Sequence, residues 1–145
     1  MNPQFLINMR EIKKIIIHCT ATRPGQDVTV DIITRWHKQR GFRTIGYHYF
    51  IDYDGHIHQG RPLSQAGAHV RGHNATSIGI AFAGGLDDHC KPADTRTPEQ
   101  TQALLQLLRQ LHQQFPNATI HGHYEFAAKA CPCFNVQEWL KTVSL

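Results

Sequence analysis

Three consecutive isoleucines near the amino terminus constrain the fold of this chain more than any other feature. Successive side chains of a strand point to opposite faces, and all three side chains at residues 15–17 are apolar. The run therefore predicts a strand that is buried on both faces. Such a strand belongs inside a sheet that is covered by helices. Segments of strand and helix character follow one another along the chain, and the sequence therefore predicts an α/β fold with a central mixed β-sheet flanked by helices.

Helix signals occur at three further places. Thr29 or Asp27 can cap a first helix. Thr97 and Gln100 form a capping box at the start of a second helix, which has an apolar stripe at helical spacing. Another capping box, beginning at Asn135, predicts a short third helix. The additional segments with strand character are residues 47–52, 56–60, 77–83 and 118–121, and residues 86–96 are predicted to form an exposed loop.

Length and charge limit the organisation and the class of partner. With 145 residues, the chain is predicted to form one domain, residues 1–145, in which residues 1–11 are an N-terminal extension. The formal net charge is +4, but lysine and arginine occur in no block of five or more, which argues against a nucleic-acid site. We find no apolar run long enough for a membrane span and no signal peptide, so synthesis in the cytoplasm is expected.

Side chains with metal-binding chemistry are concentrated in residues 120–134. This stretch holds His121, His123, Cys131 and Cys133. The two histidines would face the same side of an extended strand, so their spacing does not select one, and Cys133 competes with Cys131. Because the two thiols are separated by one residue and no oxidising compartment is indicated, we expect free cysteines.

A third metal ligand is predicted at the carboxyl end of the buried strand. His18 follows the isoleucine run, at the position where open α/β sheets place their sites, whereas Cys19 would point to the opposite face. Two imidazoles and one thiolate would leave a fourth zinc position for water. Blue-copper carriers use the same set with a weak methionine ligand, but Met1 and Met9 are the only methionines, so we set that class aside.

A series of separated motifs extends in order from about His18 to Trp139. In these motifs the chain resembles the zinc-dependent N-acetylmuramoyl-L-alanine amidases, a family that includes the small lytic amidases of T-odd coliphages and, more distantly, the peptidoglycan recognition proteins. The motifs are Ile16-Ile17-His18-Cys19-Thr20-Ala21-Thr22, Trp36-His37-Lys38, Ile45-Gly46-Tyr47-His48-Tyr49, Asp54-Gly55, Gly67-Ala68-His69, Asn74-Ala75-Thr76-Ser77-Ile78-Gly79-Ile80, His123-Tyr124-Glu125 and Lys129-Ala130-Cys131-Pro132.

The resemblance implies an activity and assigns residues to it. It implies Zn²⁺ held by His18, His123 and Cys131, and hydrolysis by a zinc-bound water of the amide between N-acetylmuramic acid and L-alanine in peptidoglycan. It gives supporting catalytic roles to Tyr47 and Lys129. One departure is Ala128, where close relatives have proline before the lysine, and a looser loop there would affect the position of Lys129.

Other residues receive weaker assignments. Glu125 ranks low as a general base and is expected instead to orient a ligand histidine. The loop that contains His69, Arg71 and Asn74 is expected to bind substrate, because arginine pairs well with the carboxylates of a stem peptide.

Two functions other than amide hydrolysis are compatible with the same fold. A noncatalytic peptidoglycan-binding module is disfavoured, because all five of the ligand and supporting residues are kept. A regulatory role through RNA polymerase is implied by resemblance alone. We expect a monomer without nucleic-acid or membrane partners, which acts on the cell wall after release from the cytoplasm as a phage or prophage endolysin.

Overall fold

Five strands form one mixed sheet in the computed structural model, which describes residues 10–145. The strands are Lys14–Cys19 (β1), Tyr49–Ile51 (β2), Ile57–Gln59 (β3), Ser77–Phe82 (β4) and Thr119–Gly122 (β5). Their order is β3-β2-β4-β1-β5, with β2, β4, β1 and β5 parallel and β3 antiparallel to β2. The predicted α/β fold with a central mixed sheet is confirmed.

Three helices cover this sheet, and their first residues follow the predicted capping signals. They are Val30–Gln39 (α1), Pro98–Gln114 (α2) and Val136–Leu140 (α3). Thr29 caps α1, and Thr97 with Gln100 forms the complete capping box of α2. At α3 the prediction is half right: Asn135 accepts the Glu138 N–H at 3.0 Å, but the Glu138 carboxylate accepts from Lys141 Nζ at 3.1 Å. The glutamate side chain thus pairs with Lys141, just after the helix, and does not close the capping box.

Two hydrophobic clusters lie on opposite faces of the sheet. Ile17 packs with α2 on one face, whereas Ile33 of α1 packs with Phe50 on the other. Adjacent residues of β2, Phe50 and Ile51, belong to different clusters, as the alternation of a strand requires. Cys19 lies in the cluster of Ile17, as predicted, so His18 projects towards the face that α1 covers.

Arg10, the first described residue, attaches the amino-terminal segment to the rest of the fold. The Arg10 guanidinium donates to the carbonyl oxygens of Leu63 and Ser77, both at 2.8 Å. Residues 1–9 of the predicted N-terminal extension lie outside the described residues. Among residues 10–145, no helix combines the length and the apolar character needed to cross a membrane.

The loop before α2 is exposed in its middle but anchored at its end. Residues 88–92 are exposed, as predicted. The guanidinium carbon of Arg96 lies 3.5 Å from the centre of the Phe134 ring, and Arg96 Nε donates to Asp94 Oδ1 at 2.9 Å. This contact joins the loop to the segment that follows Cys131.

Candidate functional site

Two histidines meet where adjacent parallel strands end. β1 pairs with β5 through Ile17 and Gly122, and the next residue along the chain is a histidine in both cases: His18 within β1, and His123 just after β5. Their Nδ1 atoms lie 3.2 Å apart. Parallel pairing in this register therefore brings together two imidazoles that are 105 positions apart in the sequence.

Cys131 reaches the same point because the intervening segment turns back on itself. The Tyr124 N–H donates to the carbonyl oxygen of Cys131 at 2.9 Å, which closes the turn, and the Cys19 N–H donates to Cys131 Sγ at 3.2 Å. Ligand atoms of His18, His123 and Cys131 all lie within 4.8 Å of one another. The structure thus brings together the three predicted metal ligands.

The two alternative ligands lie elsewhere. His121 Nδ1 is 2.8 Å from Glu125 Oε1, and this histidine is not part of the cluster. Cys133 Sγ lies 3.9 Å from the buried Cys19 Sγ, and all four cysteines of the described chain are free. The prediction that Glu125 orients a ligand histidine is wrong, because its carboxylate binds His121 and accepts the Gly122 N–H at 2.8 Å.

The ring of His18 is held from its far side by His69. His18 Nε2 lies 2.8 Å from His69 Nδ1, and His69 Nε2 lies 3.2 Å from Ser77 Oγ. Gly79 makes room for this arrangement, since a Cβ atom there would lie 2.7 Å from the His69 ring. If His18 donates through Nε2, its Nδ1 carries the lone pair that a metal requires.

The protonation state of the cluster suits a metal. Burial, together with repulsion from His69, lowers the pKa of His18 well below its ordinary value, so this imidazole is neutral at neutral pH. The pKa of the Cys131 thiol is also lowered, mainly by its hydrogen bond with the Cys19 thiol. Two neutral imidazoles and a thiol whose pKa is lowered are ligands that Zn²⁺ prefers, so the residues present fit a zinc ion.

A cleft of about 480 Å³ opens above the cluster, and both predicted catalytic residues line it. The rings of Tyr47 and His18 lie 5.2 Å apart between centroids. Burial raises the pKa of Tyr47, so its phenol is neutral. Lys129 lies on the exposed rim. Among the described residues, the lining includes Arg40, Arg71 and Lys129 but no carboxylate, so the cleft favours an anionic ligand.

All three predicted substrate residues line this cleft, but they differ in how free their side chains are. His69 is engaged with His18, and Asn74 Oδ1 accepts the backbone N–H groups of His69 and Val70, both at 2.9 Å. Arg71 is exposed at the opening. Direct substrate contact by these residues stays a prediction, and Arg71 has the side chain best placed for it.

His37 also lines the cleft, although its sequence pattern predicts no defined role. It is buried on α1, one turn after Ile33, and its Nδ1 accepts the Gly46 N–H at 2.8 Å. Its ring lies 5.2 Å from the Tyr47 ring, and burial lowers the pKa of His37 to about 4. His37 follows Ile33 by four residues, so the helical spacing could have predicted that it lies on the inner face of α1.

Comparison with known proteins identifies the family. The model for N-acetylmuramoyl-L-alanine amidase matches residues 8–134. The endolysin of Enterobacteria phage K11 is 40% identical over 136 residues, which cover 94% of this chain and 90% of that protein. The endolysin of Escherichia phage T7 is 42% identical over 125 residues, which cover 86% and 83%. The solved structure of the N-acetylmuramoyl-L-alanine amidase LysC from Clostridium intestinale URNW gives a TM-score of 0.80 at 32% identity, covering 92% of this chain and 85% of that one. The chain therefore belongs to the N-acetylmuramoyl-L-alanine amidase family and is a peptidoglycan amidase related to the phage endolysins.

Proposed function

We propose that this amidase depends on zinc held by His18, His123 and Cys131, and that it cleaves the amide between the lactyl group of N-acetylmuramic acid and the L-alanine of the stem peptide. The observation that carries the proposal is the convergence of these three ligand atoms within 4.8 Å beneath the cleft. Two nitrogens and one sulfur form a donor set that suits zinc in a hydrolase. We further propose that residues 1–145 work as a single amidase domain, which acts on the cell wall after release from the cytoplasm.

The protein side chains around the cluster supply what amide hydrolysis requires. When bound, zinc would leave one position for water, lower the pKa of that water and polarise the scissile carbonyl. The neutral Tyr47 phenol lines the cleft beside His18 and can donate a hydrogen bond to the oxyanion that develops. Lys129 brings a positive charge to the same cleft, and an ammonium there can also donate a proton to the leaving amine.

His69 is proposed to position His18 rather than to contact the reacting atoms. Replacement His69→Ala removes the partner of His18 Nε2, and we expect zinc affinity to fall by about 10- to 100-fold. His69→Asn should restore part of this affinity, because its side-chain oxygen can accept the same hydrogen bond. Competition with a chromophoric chelator measures the dissociation constant directly, without an activity assay.

His73→Ala is the matched control for that experiment. His73 belongs to the same loop but packs on Phe126, with ring centroids 4.4 Å apart. Its removal should leave zinc affinity unchanged. Equal zinc affinity in wild type and His69→Ala would show that His69 does not position the ligand.

The reaction is tested by release of new L-alanine amino termini from purified peptidoglycan. We expect release by the purified protein, loss of release with a zinc chelator and recovery when zinc is restored. Release that persists after complete removal of zinc would contradict the proposed cofactor. Absence of release from several wall types by the zinc-loaded protein would contradict the proposed reaction and favour a noncatalytic peptidoglycan-binding role.

A further inference from the structure

The hairpin formed by β2 and β3 carries a second group of side chains with metal-binding chemistry. Asp52, Asp54, His56 and His58 occupy every second position in this part of the sequence. Within the described part of the chain, none of the four lines the catalytic cleft. We propose that Asp52, Asp54 and His56, with His58 beside Asp52, form a second binding site, for a divalent transition-metal ion such as Zn²⁺.

One carboxylate oxygen is the centre of this group. Asp52 Oδ2 lies 2.9 Å from His58 Nε2 and 3.4 Å from His56 Nδ1. Ligand atoms of Asp52, Asp54 and His56 also lie within 4.8 Å of one another. Donor atoms of Asp52, Asp54 and His56 thus converge on one small volume, and His58 adjoins it through its contact with Asp52.

The Asp52 carboxylate is already fixed in the orientation that a metal would need. Its Oδ1 atom accepts the backbone N–H groups of Asp54 and His56, both at 3.0 Å, which directs Oδ2 towards the two imidazoles. The His58 ring also stacks on Phe50, with centroids 5.9 Å apart and an interplanar angle of 28°. Asp52 and His58 are therefore already ordered, and binding would cost conformational entropy mainly at the exposed Asp54 and His56 side chains.

Access and mobility are consistent with an exchangeable ion. The Asp52 side chain is 24% exposed, whereas the His56 side chain is 74% exposed and can rotate towards an ion without disturbing the core. Antiparallel pairing of Ile51 with Ile57 and of Phe50 with His58 keeps the two arms together. Because the site faces solvent, we expect it to bind zinc more weakly than the buried cluster at His18.

The mixture of donors selects the class of ion. Imidazole nitrogens favour zinc, copper, nickel and related ions, whereas calcium and magnesium prefer ligand sets made of oxygen alone. Two carboxylates would neutralise the charge of one divalent ion, and the His56 imidazole would add a nitrogen ligand, with the His58 imidazole adjoining through Asp52. Zinc is the appropriate probe, and calcium is the appropriate comparison.

The number of zinc ions bound per chain at saturation tests the proposal. Equilibrium dialysis at buffered free zinc, with metal quantified by mass spectrometry, is expected to give two ions for the wild type. The double replacement His56→Gln with His58→Gln should bind one ion and keep wild-type amidase activity. Cys131→Ser should also bind one ion, and the combination of all three replacements should bind none. Calcium should not occupy the hairpin in any of these proteins.

The variants separate this inference from the proposed catalytic cofactor. One outcome would support the hairpin site and contradict the catalytic zinc. In it, the wild type and Cys131→Ser each bind a single ion, and the replacement of His56 and His58 by glutamine removes that ion. A second ion that persists without both histidines, or a wild type that binds only the ion lost in Cys131→Ser, would overturn the hairpin site. His56 and His58 are exposed, so their replacement should preserve the fold, which circular dichroism would verify.

Discussion

Replacement of Cys131 by serine should remove the catalytic zinc and reduce amidase activity by more than about 100-fold, since residues that merely orient a metal ligand already contribute about 10- to 100-fold. The serine hydroxyl does not ionise near neutral pH and is a poor substitute for a thiolate. The position of Cys131 would change little, because the Tyr124 N–H bonds its backbone carbonyl rather than its side chain. Metal content and peptide release should be measured on the same preparation.

Cys133→Ser is a closely matched control for this experiment. The two cysteines are separated by one residue, but Cys133 contacts the Cys19 thiol and does not belong to the ligand cluster. Its replacement should leave catalytic zinc and activity at wild-type levels. If Cys133→Ser lost catalytic zinc while Cys131→Ser retained it, the proposed ligand set would be wrong.

Replacement of Tyr47 by phenylalanine should lower kcat by about 10²- to 10³-fold, the usual effect of removing one donor to an oxyanion. The substitution deletes only the hydroxyl, and the remaining ring can still pack beside His18 and His37. Zinc content should therefore stay at the wild-type value. KM should change much less than kcat, because the lost hydrogen bond develops mainly in the transition state.

Tyr49→Phe provides the corresponding control. Tyr49 is half-buried on β2 and packs against the hydrophobic cluster on the face opposite α1. Removing its hydroxyl should leave kcat within a factor of a few. A Tyr47→Phe enzyme with wild-type kcat would exclude a catalytic hydroxyl and leave Tyr47 with a packing role.

Local sequence chemistry was sufficient for much of the fold. The isoleucine run predicted a central buried strand, and the Thr97 capping box fixed the start of α2 because all of its partners lie within four residues. His18 could also be placed near the end of a strand from local sequence, because it directly follows the isoleucine run. The choice of His123 over His121, and of Cys131 over Cys133, required the family resemblance, because alternation along an extended chain treats each pair alike.

Contacts between segments that are distant in the sequence could not be predicted from local sequence chemistry. The engagement of His69 with His18 depends on β4 lying beside β1 and on the absence of a side chain at Gly79, neither of which has a local signal. Glu125 was assigned to the wrong histidine because β5 ends before His123, and a short 3-10 turn, His123–Glu125, returns the carboxylate to His121. The error arose at the point where the strand changes direction.

The parallel pairing of β1 with β5 also has a consequence for biosynthesis. His18 belongs to β1, the first strand of the described residues, whereas His123 and Cys131 belong to a segment that is translated long afterwards. A nascent chain that stops short of Cys131 holds only part of the ligand set, however well its earlier elements have folded. The proposed zinc site is therefore completed in a single late step of synthesis, and prematurely terminated products would lack a complete set of metal ligands.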